Sequence, residues 1–85
     1  MDRKEILTIV RAIILKHEKS ECIKVKDITL DKSISNDLYI DSLDFVEIIM
    51  QCEREFDISI PDEMMSKCDI VSGLCDTIKE LIEKQ

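Results

Sequence analysis

The chain has 85 residues, 36% charged and 45% apolar, with one glycine, one proline and a net charge of −7. A chain this short buries only about 60% of the surface its unfolded form exposes, which leaves room for one compact core but not for a second domain or a deep substrate cavity. The scarcity of Gly and Pro excludes linker-like, collagen-like and low-complexity chains, and Tyr39, Phe45 and Phe56 are too few aromatics for a β-sandwich or a base-stacking surface.

The first predicted helix covers residues 3 to 17. Ile6, Ile9, Val10, Ile13 and Ile14 recur at the i, i+3, i+4, i+7 spacing, with Leu7 at the edge of the stripe. Asp2 with Glu5 three residues on reads as an N-cap in a capping-box pattern. Residues 18 to 41 show no sustained period, yet Ile23, Val25, Ile28, Leu30, Ile34 and Leu38 are spaced through them. That mixture predicts a packed crossover with a short helical turn near Val25 to Ile28.

The next helix is expected to begin at Ser42, as N-cap or in the first turn, and to run to Phe56. Asp44 and Glu47 then sit near its positive end. Pro61 followed by Asp62-Glu63 reads as proline in the first helical position, opening a short helix to about Lys67. Asp69 is a candidate cap for the last helix, Val71 to Glu83, whose stripe is Val71, Leu74, Cys75, Ile78, Leu81 and Ile82. Gly73 inside that helix costs about 1 kcal/mol against alanine unless it permits a close approach. The predicted class is all-α: three long helices and one short one, forming a four-helix bundle with a long first connection.

No apolar run approaches the roughly 20 residues of a membrane span, and Met1 to Glu5 lead straight into helical periodicity without a signal-peptide apolar region. The expectation is a single cytoplasmic domain over residues 1–85, not inserted into a membrane. Cys22, Cys52, Cys68 and Cys75 contain no Cys-x-x-Cys pair and His17 is the single histidine, a poor zinc set. In a reducing compartment they read as four free thiols.

The charge is concentrated. Residues 41–63 hold Asp41, Asp44, Glu47, Glu53, Glu55, Asp57, Asp62 and Glu63 against Arg54 alone, and the rest of the chain sums to zero. Such a field repels nucleic acid and anionic membrane and steers basic protein surfaces toward itself. With about 3.6 residues per turn, Phe45, Ile48, Ile49, Cys52 and Phe56 form the core stripe of the second helix. Asp44, Gln51 and Glu55 are expected to face water. Leu43, Val46 and Met50 lie off the core stripe, on one face with Ser42 and interleaved with acids. An apolar strip rimmed by charge is the composition of a transient protein interface, unless these residues instead pack beneath the crossover.

A hydrolase reading of Ser42 lacks a G-x-S-x-G elbow, an oriented histidine and room for an oxyanion hole. An EF-hand register begun at Asp37 fails, with Ser42 where glycine belongs and Ile48 where the bidentate glutamate belongs. What suits a serine at a helix N-terminus is an anion such as an attached phosphate.

At these residues the sequence resembles the acyl carrier proteins, above all the free-standing carriers of bacterial fatty-acid synthesis. The likeness rests on Asp41-Ser42-Leu43-Asp44, Val46-Glu47, Glu53, Glu55-Phe56-Asp57 and Ile60-Pro61-Asp62-Glu63. The resemblance implies a non-catalytic carrier whose Ser42 bears 4′-phosphopantetheine, supplied from coenzyme A by a separate phosphopantetheinyl transferase. The thiol of that arm would carry acyl groups as thioesters. Asp41 would help present Ser42 to the transferase. Leu43, Asp44, Val46, Glu47, Met50, Glu53, Asp62 and Glu63 would meet basic patches on acyl-transferring and chain-elongating enzymes. Phe45, Ile48, Ile49, Cys52, Phe56, Ile60, Cys68, Leu74 and Cys75 would lie in or near the apolar space that shelters the cargo, and the carrier would be a monomer.

The family usually has a glycine two or three residues before the serine, where this chain has Leu38-Tyr39-Ile40. Phe45, Arg54, Cys52 and Cys75 also depart from common family residues. These departures suggest a carrier for a secondary pathway, such as a polyketide, aryl-polyene or aminoacyl one. The remaining alternative is an unmodified carrier-like adaptor that only binds proteins.

Overall fold

A computed structural model of the chain describes residues 1–18 and 22–84. The crossover expected over residues 18 to 41 therefore includes three positions, 19 to 21, outside the described residues. Three α-helices carry the fold: α1 (Arg3–His17), α2 (Ser42–Phe56) and α3 (Val71–Glu83). Two 3-10 segments, Val25–Asp27 and Asp62–Asp69, punctuate the connections. The fold is an all-α bundle, and no helix among the described residues is long and apolar enough to cross a membrane.

Each long helix buries the stripe its sequence announces. Ile6, Val10, Ile13 and Ile14 of α1, Ile48, Ile49, Cys52 and Phe56 of α2, and Val71, Leu74, Cys75 and Ile78 of α3 form one continuous core. Helix α1 packs against both α2 and α3. Burying a side chain of this size contributes about 1.5–3 kcal/mol, so these stripes set the bundle. Asp2 caps α1 as expected, accepting from the Glu5 amide at 2.9 Å.

The crossover is packed. Ile28, Ile34, Leu38 and Ile40 are all buried in the same core, and the Arg11 Nε donates to the Ile28 carbonyl at 2.8 Å, tying the segment to α1. Ser33 and Ile70 form a single antiparallel bridge. Around it, the Val71 amide donates to the Lys32 carbonyl at 3.0 Å and the Ser72 amide to the Leu30 carbonyl at 2.9 Å. The first amides of a helix lack partners inside it, and here the crossover supplies them.

This corrects the expectation for Asp69. The residue flanking α3 is Ile70, with no side-chain cap. Asp69 turns the other way, accepting from Ser33 Oγ at 2.6 Å and from the Ser35 amide at 3.1 Å. Burial alone would raise the Asp69 pKa, but these hydrogen bonds outweigh it and hold the carboxyl below its ordinary value. Pro61 also sits one position earlier than expected. Its ψ of 148° is extended, so it precedes the short helix, which is 3-10 and runs on to Asp69.

Candidate functional site

Ser42 is the first residue of α2 and is exposed. Its position is set by its neighbours. Asp41 is the N-cap, its carboxylate accepting from the Asp44 amide at 2.9 Å while its carbonyl accepts from the Phe45 amide at 2.8 Å. The approach to the serine is pinned on both sides of Tyr39, because Leu38 and Ile40 are buried and the Ile40 amide donates to the Ile34 carbonyl. Tyr39 itself is 75% exposed and adopts φ 57°. That is the left-handed conformation in which glycine is ordinarily favoured. The loop thus keeps a glycine-like backbone with an aromatic residue in the place, and the ring projects from it.

Leu43, Val46 and Met50 are 78%, 49% and 48% exposed. They do not pack beneath the crossover, so the apolar strip running from Ser42 along α2 is real surface. Among the acids assigned to docking, Glu47, Asp62 and Glu63 are exposed. Two others are turned to different work. Asp44 was expected to face water, yet its side chain is only 13% exposed, with Oδ1 3.6 Å from His17 Nδ1 on α1. Glu53 Oε2 accepts from the Ile60 amide at 2.8 Å, fastening the turn that follows α2. That turn is made by Asp57, left-handed at φ 54°, whose amide donates to the Glu53 carbonyl.

Of the residues assigned to the apolar interior, Ile48, Ile49, Cys52, Phe56, Ile60, Cys68, Leu74 and Cys75 are buried in the core, and Phe45 packs against it half-buried. No disulfide links Cys22, Cys52, Cys68 or Cys75 among the described residues. Burial pushes the Cys52 thiol up to about 12, the Cys75 thiol to about 11, and the Cys68 thiol upward too. Since the thiolate is the nucleophile, these three are apolar packing groups at neutral pH.

Three placements were not foreseen: the His17 contact with α2, the left-handed Tyr39, and the buried hydroxyl of Thr77, 2% exposed. His17 lies at the end of the α1 stripe, and its partners are far away in sequence. Tyr39 carries no signal for positive φ, which glycine or asparagine would have given.

An exposed serine thus opens a capped helix, beside an apolar strip and a band of acids. A family model described as a phosphopantetheine attachment site matches residues 18–78. Two proteins from Rickettsia bellii, strains RML369-C and OSU 85-389, both named acyl carrier protein, are each 40% identical over 57 residues. The matched region is 67% of this chain and 66% and 70% of theirs, about two thirds in each case. The solved acyl carrier protein of Enterococcus faecalis superposes with a TM-score of 0.79 at 32% identity, over 95% of this chain and 99% of that one. A hexanoyl carrier from the actinorhodin polyketide synthase of Streptomyces coelicolor shares the fold, with a TM-score of 0.75 at 22% identity, over 88% and 87% of the two chains. The chain belongs to the acyl carrier protein family.

Proposed function

We propose that Ser42 is the attachment residue for 4′-phosphopantetheine and that the domain carries acyl groups between enzymes without catalysis of its own. The observation that carries this reading is the exposed Ser42 at the start of α2, held there by the Asp41 cap. The residues fit the group. Helix amides and the positive end of the macrodipole favour a phosphodiester at that position, and the exposed hydroxyl is open to a transferase. In the attachment step the serine oxygen loses its proton and displaces the adenosine bisphosphate portion of coenzyme A. When attached, the arm supplies a thiol that holds the acyl group as a thioester.

The chain's own residues do the rest. Asp41 fixes the serine. Leu43, Val46 and Met50 offer the apolar strip, and Glu47, Asp62 and Glu63 offer charge to basic patches on the transferase and on acyl-transferring enzymes. The interior around Ile48, Cys52, Phe56 and Leu74 is where we place the acyl chain. Asp44 and Glu53 contribute mainly to holding the helices and the turn after α2. Intact mass spectrometry after incubation with coenzyme A and a broad-specificity transferase tests the reading. The wild type gains one phosphopantetheine and Ser42→Ala gains none; an unshifted wild type under several transferases would leave a protein-binding adaptor instead.

A further inference from the structure

The contact between His17 and α2 has the geometry of a metal site. His17 closes α1, while Asp44 and Glu47 lie three residues apart on one face of α2. His17 Nδ1 is 3.6 Å from Asp44 Oδ1 and 3.6 Å from Glu47 Oε2, and all three donor atoms lie within 4.8 Å of one another. A separation of 3.6 Å is long for a charge-assisted hydrogen bond, which closes to about 2.7–2.9 Å. It is close to the spacing of two ligands on one tetrahedral ion, about 3.4 Å when each bond is about 2.1 Å. The His17 and Asp44 side chains are partly shielded from water, 17% and 13% exposed, while Glu47 closes the site from the solvent side at 64% exposed.

The second ring nitrogen supports the assignment. Gln51 Oε1 lies 3.4 Å from His17 Nε2, one helical turn beyond Glu47. An acceptor there favours the tautomer with the proton on Nε2, leaving the Nδ1 lone pair aimed at the carboxylates, the outer-shell arrangement that orients histidine ligands. A neutral imidazole and two carboxylates balance a divalent charge. Imidazole nitrogen favours zinc-like ions over magnesium or calcium. A recess lined by His17, Glu47, Met50, Gln51 and Arg54 opens beside the cluster.

We propose that His17, Asp44 and Glu47 form a binding site for a divalent transition ion of the zinc type. The ion staples the end of α1 to the first turns of α2, two residues from Ser42. While it is bound, the carboxylates of Asp44 and Glu47 are engaged by the metal and withdrawn from any basic partner.

The test uses zinc chloride and the full chain in a Cys22→Ser background, since Cys22 is the exposed thiol. Calorimetric titration at neutral pH is expected to show one zinc per chain, with His17→Gln and Glu47→Gln each weakening binding by about tenfold or more. Zinc is also expected to raise the melting temperature of the background protein but not of His17→Gln. The nitrogen shifts of the single histidine are expected to report metal on Nδ1 with the proton on Nε2. Unchanged zinc affinity in His17→Gln, no saturable zinc binding, or equal binding of magnesium chloride would each overturn the proposal and leave a simple ion pair.

Discussion

Gly73 lies directly beneath the Lys67 carbonyl: a Cβ built on the glycine would stand 1.9 Å from that oxygen. The glycine is therefore the point at which the 3-10 helix closes onto α3, and its helix-propensity cost is accepted for the approach. Gly73→Ala gains about 1 kcal/mol of propensity but collides with backbone. We expect a net loss of about 1–3 kcal/mol, read from chemical denaturation. A variant as stable as the wild type would show that the two segments separate without cost.

The Ser33–Asp69 latch is pH-sensitive. The Asp69 carboxyl is held below its ordinary value in the folded chain, so its contribution is complete above the unfolded pKa, about 3.9, and is lost as pH falls through the folded one. Asp69→Asn removes the charge and keeps the shape. It is expected to cost about 1–2 kcal/mol at neutral pH, and the gap from wild type should close as both are acidified through and below the ordinary carboxylate range. A gap that stays constant from neutral to acid would contradict the latch.

Thr77 is buried, and its Oγ1 makes no hydrogen bond of normal geometry, with the Cys68 thiol as a weak neighbour at best. A buried hydroxyl so poorly satisfied costs about 1–3 kcal/mol. Thr77→Val keeps the branched shape without the hydroxyl and is expected to raise the melting temperature. A fall of several degrees would mean that the hydroxyl is satisfied.

Docking should respond to the exposed residues of α2 and not to Cys22 or the buried thiols. With a chelator present, Glu47→Lys is expected to slow association with the transferase a few-fold at low salt and to flatten its salt dependence. Leu43→Ser removes apolar contact and is expected to speed dissociation. If neither variant alters binding kinetics, the face from Ser42 to Met50 is not the dock.

The three long helices were legible in the sequence because each carries an unbroken apolar stripe, and their observed bounds are the expected ones. The crossover was legible only as packed. Its apolar residues Ile28, Ile34 and Leu38 all join the common core but share no period. Asp69 was misread because a helix start normally recruits a nearby side chain, whereas here the Lys32 and Leu30 carbonyls do that work from far back in the chain. The position of Ser42 at a helix start and the apolar strip beside it could be read from one helical wheel. Asp44 was placed on the wet side of that wheel because the wheel does not know that α1 ends beside it.

The central claim is that Ser42 bears the arm. Its most direct measurement is a fragmentation spectrum of the transferase-loaded chain, resolved to single residues. We expect the added mass on the peptide containing Asp41-Ser42-Leu43, at the serine. Localisation to another hydroxyl, such as Ser35 or Ser59, would contradict the account.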